Sequence, residues 1–192
     1  MAGRAGFAVA WSGGKSYGDV VIAIRQLDAA EGRQYLGALA DVLLDCVAGG
    51  ASVSFMASLS KAEAEAFFAG VLEGVRKGER ILLAAFAESK LVGTVQVLWA
   101  TPPNQAHRAD VAKLLVVREA RGQGVGRRLM ERAEEASREA GRSLLVLDTV
   151  AGDQAEKLYL RMGWTKTGVI PKYAVYPDGR WCDTSVLWKW LE

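Results

Sequence analysis

Apolar positions follow two rhythms along this chain. From Tyr35 onward, Leu39, Val42, Leu43 and Cys46 recur at the three- and four-residue spacing of one helix face. Asp28 is placed to cap that helix, which is expected to run to about Val47. Ser60 with Glu63 forms a capping box for a second helix, along which Phe67, Val71 and Val75 fall. Leu129, Ala133, Ala136 and Ala140 define a third over residues 126–140, with Gly141 as its stop. Residues 153–161 make a short fourth. Between them lie apolar runs that read as strands, over residues 20–25, 80–87, 91–100, 108–117, 143–149, 164–170 and 185–191. Glu88-Ser89-Lys90 joins the second and third strands as a hairpin, and Pro177-Asp178-Gly179 lies between the last two. Residues 143–149, SLLVLDT, are almost continuously apolar, as expected of a strand buried on both faces.

The resulting order, β-α-α-β-β-β-α-β-α-β-β, is that of an α/β (α+β) chain. It contains a β-α-β unit over residues 111–147, so a ligand is expected at the carboxyl ends of those parallel strands. There is no internal repeat and no dividing linker. Residues 19–192 are expected to form one domain behind a Gly/Ala-rich, disordered leader over residues 1–18.

Charge and composition remove several functions. The net charge is +2 and the basic residues are dispersed, which gives no phosphate-tracking stripe and no case for nucleic acid. No apolar run approaches the length of a membrane span. Cys46 and Cys182 have no metal-ligand spacing and His107 is the only histidine, so no metal is expected. A cytoplasmic location fits these features.

The stretch RGQGVGRRLM, residues 121–130, carries the chemistry. Gly122, Gly124 and Gly126 alternate at a helix start, where free N–H groups and the helix dipole favour an anion. Arg121, Arg127 and Arg128 crowd that positive end, where cations oppose the dipole. A bound polyanion resolves the conflict; solvated arginines on a flexible turn are the plainer alternative. The glycine spacing is not that of a dinucleotide fingerprint, and no P-loop string occurs. What matches is [Q/R]-x-x-G-x-[G/A], written here as Arg121-Gly122-Gln123-Gly124-Val125-Gly126. This resembles the pyrophosphate loop of the GNAT acetyltransferases.

Two further stretches resemble that family. Leu114-Leu115-Val116 precedes Arg121 at the family's spacing, and Ala155-Glu156-Lys157-Leu158-Tyr159-Leu160-Arg161-Met162-Gly163-Trp164 is similar to its A-x-x-L-Y-x-x-x-G-[FW] segment. The resemblance implies a GNAT fold, with a mixed central sheet of about seven strands flanked by about four helices. It also implies acetyl-CoA as cosubstrate and no metal. Leu114, Leu115 and Val116 would pair with the pantetheine arm. Arg121, Gly122, Gln123, Gly124, Val125, Gly126 and Arg127 would hold the pyrophosphate, and Ala155 joins this cofactor set. Many members carry Asn seven residues before the tyrosine, where this chain has Gly152. Within the family, Gly49-Gly50-Ala51-Ser52-Val53, Phe55-Met56, Leu147-Asp148-Thr149 with Ala151-Gly152, and Pro177-Asp178-Gly179-Arg180 resemble the tabtoxin-resistance acetyltransferases. That likeness implies a small amino-acid-like amine as acceptor and resistance by acetylation as the role. A protein N-terminal or ribosomal acetyltransferase, or a non-catalytic CoA-sensing module, are the alternatives. A homodimer is compatible with the aromatic C-terminal end.

Amine acetylation needs a base, an oxyanion stabiliser and an acid for the departing thiolate. The resemblance implies Tyr159 as the acid; otherwise it is a core aromatic. Asp148, at the carboxyl end of a buried strand, is a candidate base or an Asx-turn cap. Asp110 occupies a strand position where several GNAT enzymes place a carboxylate. By period two it shares a face with Leu114 and Val116, unless it forms an ion pair with Arg108 at the start of the strand.

Overall fold

The computed structural model describes residues 21–191, and the expected leader over residues 1–18 lies outside them. In chain order the elements are β1 (Ile22–Leu27), α1 (Ala29–Gln34), α2 (Leu36–Ala48), α3 (Lys61–Arg76), β2 (Arg80–Ala87), β3 (Lys90–Trp99), β4 (Arg108–Val116), α4 (Val125–Glu139), β5 (Leu144–Val150), α5 (Gln154–Arg161), β6 (Thr165–Val175) and β7 (Trp181–Trp190). The strands form one sheet in the order β1-β2-β3-β4-β5-β7-β6. All neighbouring pairs are antiparallel except β4 and β5.

Both faces of the sheet are covered at β2 and β3, whereas β6 is exposed along most of its length. Along β2, Leu82, Ala84 and Phe86 join a core with α2 and α3, while Leu83, Ala85 and Ala87 join a second core with α4 and Tyr159 of α5. This is why β2 is continuously apolar: successive side chains enter different cores. Burying each leucine contributes about 1.5–3 kcal/mol. The capping box at α3 is formed, with the Glu63 N–H donating to Ser60 Oγ at 3.2 Å and the Ser60 N–H to Glu63 Oε2 at 2.8 Å.

Among the described residues there are five α-helices, one more than the expected pattern because the single helix expected over residues 28–47 breaks at Tyr35 (φ −99°, ψ 8°). The Tyr35 N–H turns back to the Gly32 carbonyl at 3.1 Å, which tightens and ends α1. The cause is tertiary. Gly32 packs so closely on α3 that a Cβ there would lie 2.2 Å from Leu72 Cδ2, while the Tyr35 ring packs edge-on against Phe86 at 5.0 Å.

The last two strands are longer than expected. β6 continues through Pro171 to Val175, because it is the sheet edge and its register shifts between Ile170 and Ala174. Edge strands at a bulge tolerate proline. Lys172, at φ +53°, gives its N–H to Asp183 Oδ1 at 2.8 Å.

Two buried carboxylates tie the C-terminal half together. Glu134 of α4 accepts from Lys189 Nζ at 2.8 Å and from the Trp164 indole N–H at 3.0 Å. Glu156 of α5 accepts from Lys166 Nζ at 2.6 Å, from Ser185 Oγ at 2.8 Å and from the Gly152 N–H. Lys166 foremost, with Gly152 and Ser185, holds the Glu156 carboxyl below the ordinary glutamate range against the opposing effect of its burial.

Candidate active site

β4 and β5 pair at three positions only, Arg108 with Leu144, Ala109 with Leu145 and Asp110 with Val146. Beyond them β4 keeps its partner β3 as far as Val116, and β5 keeps β7 as far as Val150. The two parallel strands therefore part, and a cleft of about 930 Å³ opens between their carboxyl ends. Residues 111–116 form one wall, Asp148, Thr149 and Val150 the other. The glycine loop closes one end, and Ala155, Leu158 and Tyr159 of α5 also line it.

β4 carries a bulge at this point. Thr94 and Gln96, two residues apart on β3, pair with Leu115 and Ala112, three apart on β4. The surplus residue is absorbed at Lys113, whose φ of +54° is left-handed. The bulge overturns the face expected for Asp110. Period two fails across an inserted residue, so Asp110 and Ala112 share a face with Leu115, not with Leu114 and Val116. Leu115 enters the core under α2, whereas Leu114 and Val116 pack on the α4 side. Asp110 does not line the cleft, and its Oδ1 accepts from Arg108 Nη1 at 2.5 Å.

At the far end, Gly122 and Gly124 have φ of +76° and +79°. Gly124 is the residue before α4, and no side chain caps that helix. Its first turn holds no acidic residue, so its leading N–H groups are open to an anion. Arg121, Gly122, Gly124, Val125, Gly126 and Arg127 face the cleft together with Leu114, Leu115, Val116 and Ala155. A diphosphate fits this donor set. Arg121 also buttresses the loop, its Nε donating to the Val116 carbonyl at 3.0 Å. Arg127 pairs with Glu131 at 2.7 Å on the surface. Gln123 stands apart: it does not line the cleft, and its Nε2 donates to the Glu119 carbonyl at 2.9 Å.

Tyr159 lies on α5 with its ring 5.9 Å from that of Trp164, and is 5 % exposed. Burial, followed by the negative charges of Asp148 and Asp153, pushes its hydroxyl well above the ordinary tyrosine range. The hydroxyl therefore stays protonated at any physiological pH, as an acid must before its proton is needed. Asp148 is exposed and lines the same cleft, so these two candidates come together while Asp110 does not. The lone histidine lies at the start of β4, its carbonyl accepting the N–H groups of Ser143 and Leu144.

Lys113 and Ser54 were not singled out by the sequence. Lys113 Nζ donates to Ser54 Oγ at 3.0 Å across the cleft mouth. Burial lowers the Lys113 pKa from its ordinary value, and the Asp148 charge partly opposes this. Ser54, at φ +76°, belongs to the segment between α2 and α3. Gly50 and Tyr176 line both this cleft and a second cavity of about 440 Å³. Among the described residues no group of three or more His, Cys, Asp or Glu could hold a metal ion. No helix among them is long and apolar enough to cross a membrane.

Known structures share this architecture. The yncA protein of Salmonella typhimurium, solved with its cofactor acetyl-CoA, is 20 % identical, with a TM-score of 0.72 over 89 % of this chain and 94 % of its own. The ribosomal-protein-alanine N-acetyltransferase of Brucella melitensis is 24 % identical, with a TM-score of 0.72 over 88 % and 99 %. A structure described as a phosphinothricin N-acetyltransferase is 19 % identical, with a TM-score of 0.74 over 90 % and 99 %. At these identities the likeness is one of fold. The family is decided by the sequence profile of the acetyltransferase (GNAT) family, which matches residues 52–164, more than half of the chain. With that profile spanning the bulged strand, the glycine loop and Tyr159, the chain belongs to the acetyltransferase (GNAT) family and is an N-acetyltransferase that draws its acetyl group from acetyl-CoA.

Proposed function

We propose that this protein works in the cytoplasm and moves the acetyl group of acetyl-CoA to the amine of a small amino-acid-like molecule, a toxin or antibiotic, giving resistance by acetylation. The observation that carries the reading is the convergence of Tyr159, Asp148 and the glycine loop on one cleft. The loop and the start of α4 bind the diphosphate, and the parted edge of β4 orients the pantetheine arm. Asp148 draws a proton from the acceptor ammonium, directly or through water, and Tyr159 supplies one to the departing thiolate.

Transfer is direct, in a ternary complex. Cys46 is buried, and burial, against the opposing effect of Arg121, raises its thiol pKa. Such a thiol is a poor covalent relay. The acceptor end is compact, bounded by Ser52, Val53, Ser54 and Tyr176, which favours a small molecule over a peptide tail. The likeness of residues 49–56 and 147–152 to the tabtoxin-resistance enzymes supports the same class. Tyr173 of β6 and Trp181 of the neighbouring β7 expose large aromatic surfaces, which a homodimer would use.

The test is a competition screen at one acetyl-CoA concentration, with free amino acids, β-lactam amino acids, polyamines, aminoglycosides and N-terminal peptides. The highest kcat/KM is expected among the small amino acids. A peptide or aminoglycoside well above all of them would overturn the acceptor and leave the acetyltransferase intact.

A further inference from the structure

The cleft holds a cation that neither the diphosphate nor the acetyl transfer requires. Lys113 sits at the β4 bulge, before Leu114 and Val116, whose side chains are the ones that approach Gly126 in the first turn of α4. Its ammonium is half-buried, and among the described residues it closes no ion pair with a carboxylate. Its one hydrogen bond is to the neutral Ser54 hydroxyl. A partly exposed lysine whose one protein partner is a neutral hydroxyl has two N–H groups free for a ligand or for water. Asp148 stands on the opposite wall, close enough for its charge to act on both Lys113 and Tyr159.

We propose that Lys113, with Ser54, anchors the carboxylate of the acceptor while Asp148 receives its ammonium, so that the cleft selects α-amino acids as zwitterions. The inference rests on the small amino-acid reading above and names the group that enforces it. The charges have the required order across the cleft: cation on β4, anion on β5. A zwitterion spanning them satisfies both, and its amine is left on the Asp148 side, towards Tyr159. Ser54 can donate its own hydroxyl hydrogen to the second carboxylate oxygen while accepting from Lys113. The bulge is where this lysine stands: the surplus residue between Ala112 and Leu115 is absorbed at Lys113, outside the regular pairing with β3. An acceptor lacking the carboxylate leaves the lysine unpaired, and sites built on buried polar contacts reject such analogues strongly.

The test compares free L-amino acids with their own carboxamides, using thiol release at saturating acetyl-CoA. In the unaltered protein the free acids are expected to lead by about 10- to 100-fold in kcat/KM, chiefly through KM, the range of a hydrogen bond to a charged group. Lys113→Met should bring acids and amides to within about 3-fold of each other, while Lys113→Arg keeps part of the preference. Ser54→Ala, which removes only the hydroxyl, should weaken the preference less. Calorimetric affinity for CoA should be unchanged in all three variants. An acid preference that survives Lys113→Met overturns the anchor, as does a fall in CoA affinity, which would assign Lys113 to the cofactor. Equal transfer to acids and amides by the unaltered protein overturns the anchor and leaves the small-amine reading intact. Transfer to peptides alone overturns both.

Discussion

The two ends of the cleft are built from different materials. The proposed cofactor end is main chain: left-handed glycines, the open N–H groups of α4 and the unpaired side of β4. The proposed acceptor end is side chain: Lys113 from β4, Ser54 from the α2–α3 segment, Asp148 from β5 and Tyr159 from α5. A main-chain site constrains its sequence only where a conformation excludes side chains, so it can be held constant while much else changes. A site of side chains from four segments changes character with any one of them. The cofactor is the invariant partner of the reaction and the amine the variable one.

The strongest way to break this contrast is Gly124→Glu. The substitution forces a side chain into φ +79°, costing about 1–2 kcal/mol, and sets a carboxylate where the diphosphate belongs. Saturable heat on titration with CoA should disappear although the protein still folds. Retained binding would mean that the loop is not the diphosphate site.

Next in size is Tyr159→Phe. Turnover should fall by about 10²–10⁴ with CoA affinity kept. The substitution also bears on alkaline stability. Burial raises the Tyr159 pKa, so its neutral form contributes stability that is whole below about pH 10 and is lost as pH rises towards its folded value. The variant should melt with less dependence on pH above 10, in parallel scans against the parent.

Glu156→Ala sharpens the contrast from below, because this carboxylate pins the Tyr159 helix to β6 and β7. It strands Lys166, the Ser185 hydroxyl and the Gly152 N–H, and the loss should approach the 3–5 kcal/mol of a broken buried pair, lessened by the partial exposure of Lys166. Its carboxyl is depressed in the folded state. Its stabilisation is therefore present above the ordinary glutamate value of 4.5 and is lost as pH falls below it. Urea melts at neutral pH and below 4.5 should show the difference between parent and variant shrinking with acidity. The smallest effect separates the two aspartates. Asp148→Asn should lower kcat/KM by about 10- to 100-fold, and Asp110→Asn should change it by less than about threefold. The reverse order would return the catalytic carboxylate to β4.

The same contrast explains what could be read from the sequence. The glycine loop was legible because left-handed backbone at Gly122 and Gly124 demands a residue type, and the spacing of that demand is visible in one dimension. Burial on both faces was expected of residues 143–149, yet in β5 only Leu145 and Leu147 are buried while Asp148 is exposed, and the strand enclosed on both faces is β2. Tyr35 was not legible, because its break depends on Gly32 meeting Leu72 on another helix. The run through Pro171 was not, because only the sheet order makes β6 an edge. Asp110 was put on the wrong face by one inserted residue, and the same insertion hid Lys113. A bulge carries no residue signature here, since lysine is not a type that favours φ +54°.

The parting of β4 from β5 also has a mechanical meaning. Three register pairs are a narrow seam between the four strands β1–β4 and the three strands β5, β7 and β6. A ligand laid along that seam stitches the halves together and has no counterpart to grip in the unfolded chain. By mass action, ligand at a hundred times its dissociation constant adds about 2.7 kcal/mol to the folded state. With the acetyl donor placed along that seam as proposed, the enzyme is expected to melt at a higher temperature when the donor is plentiful.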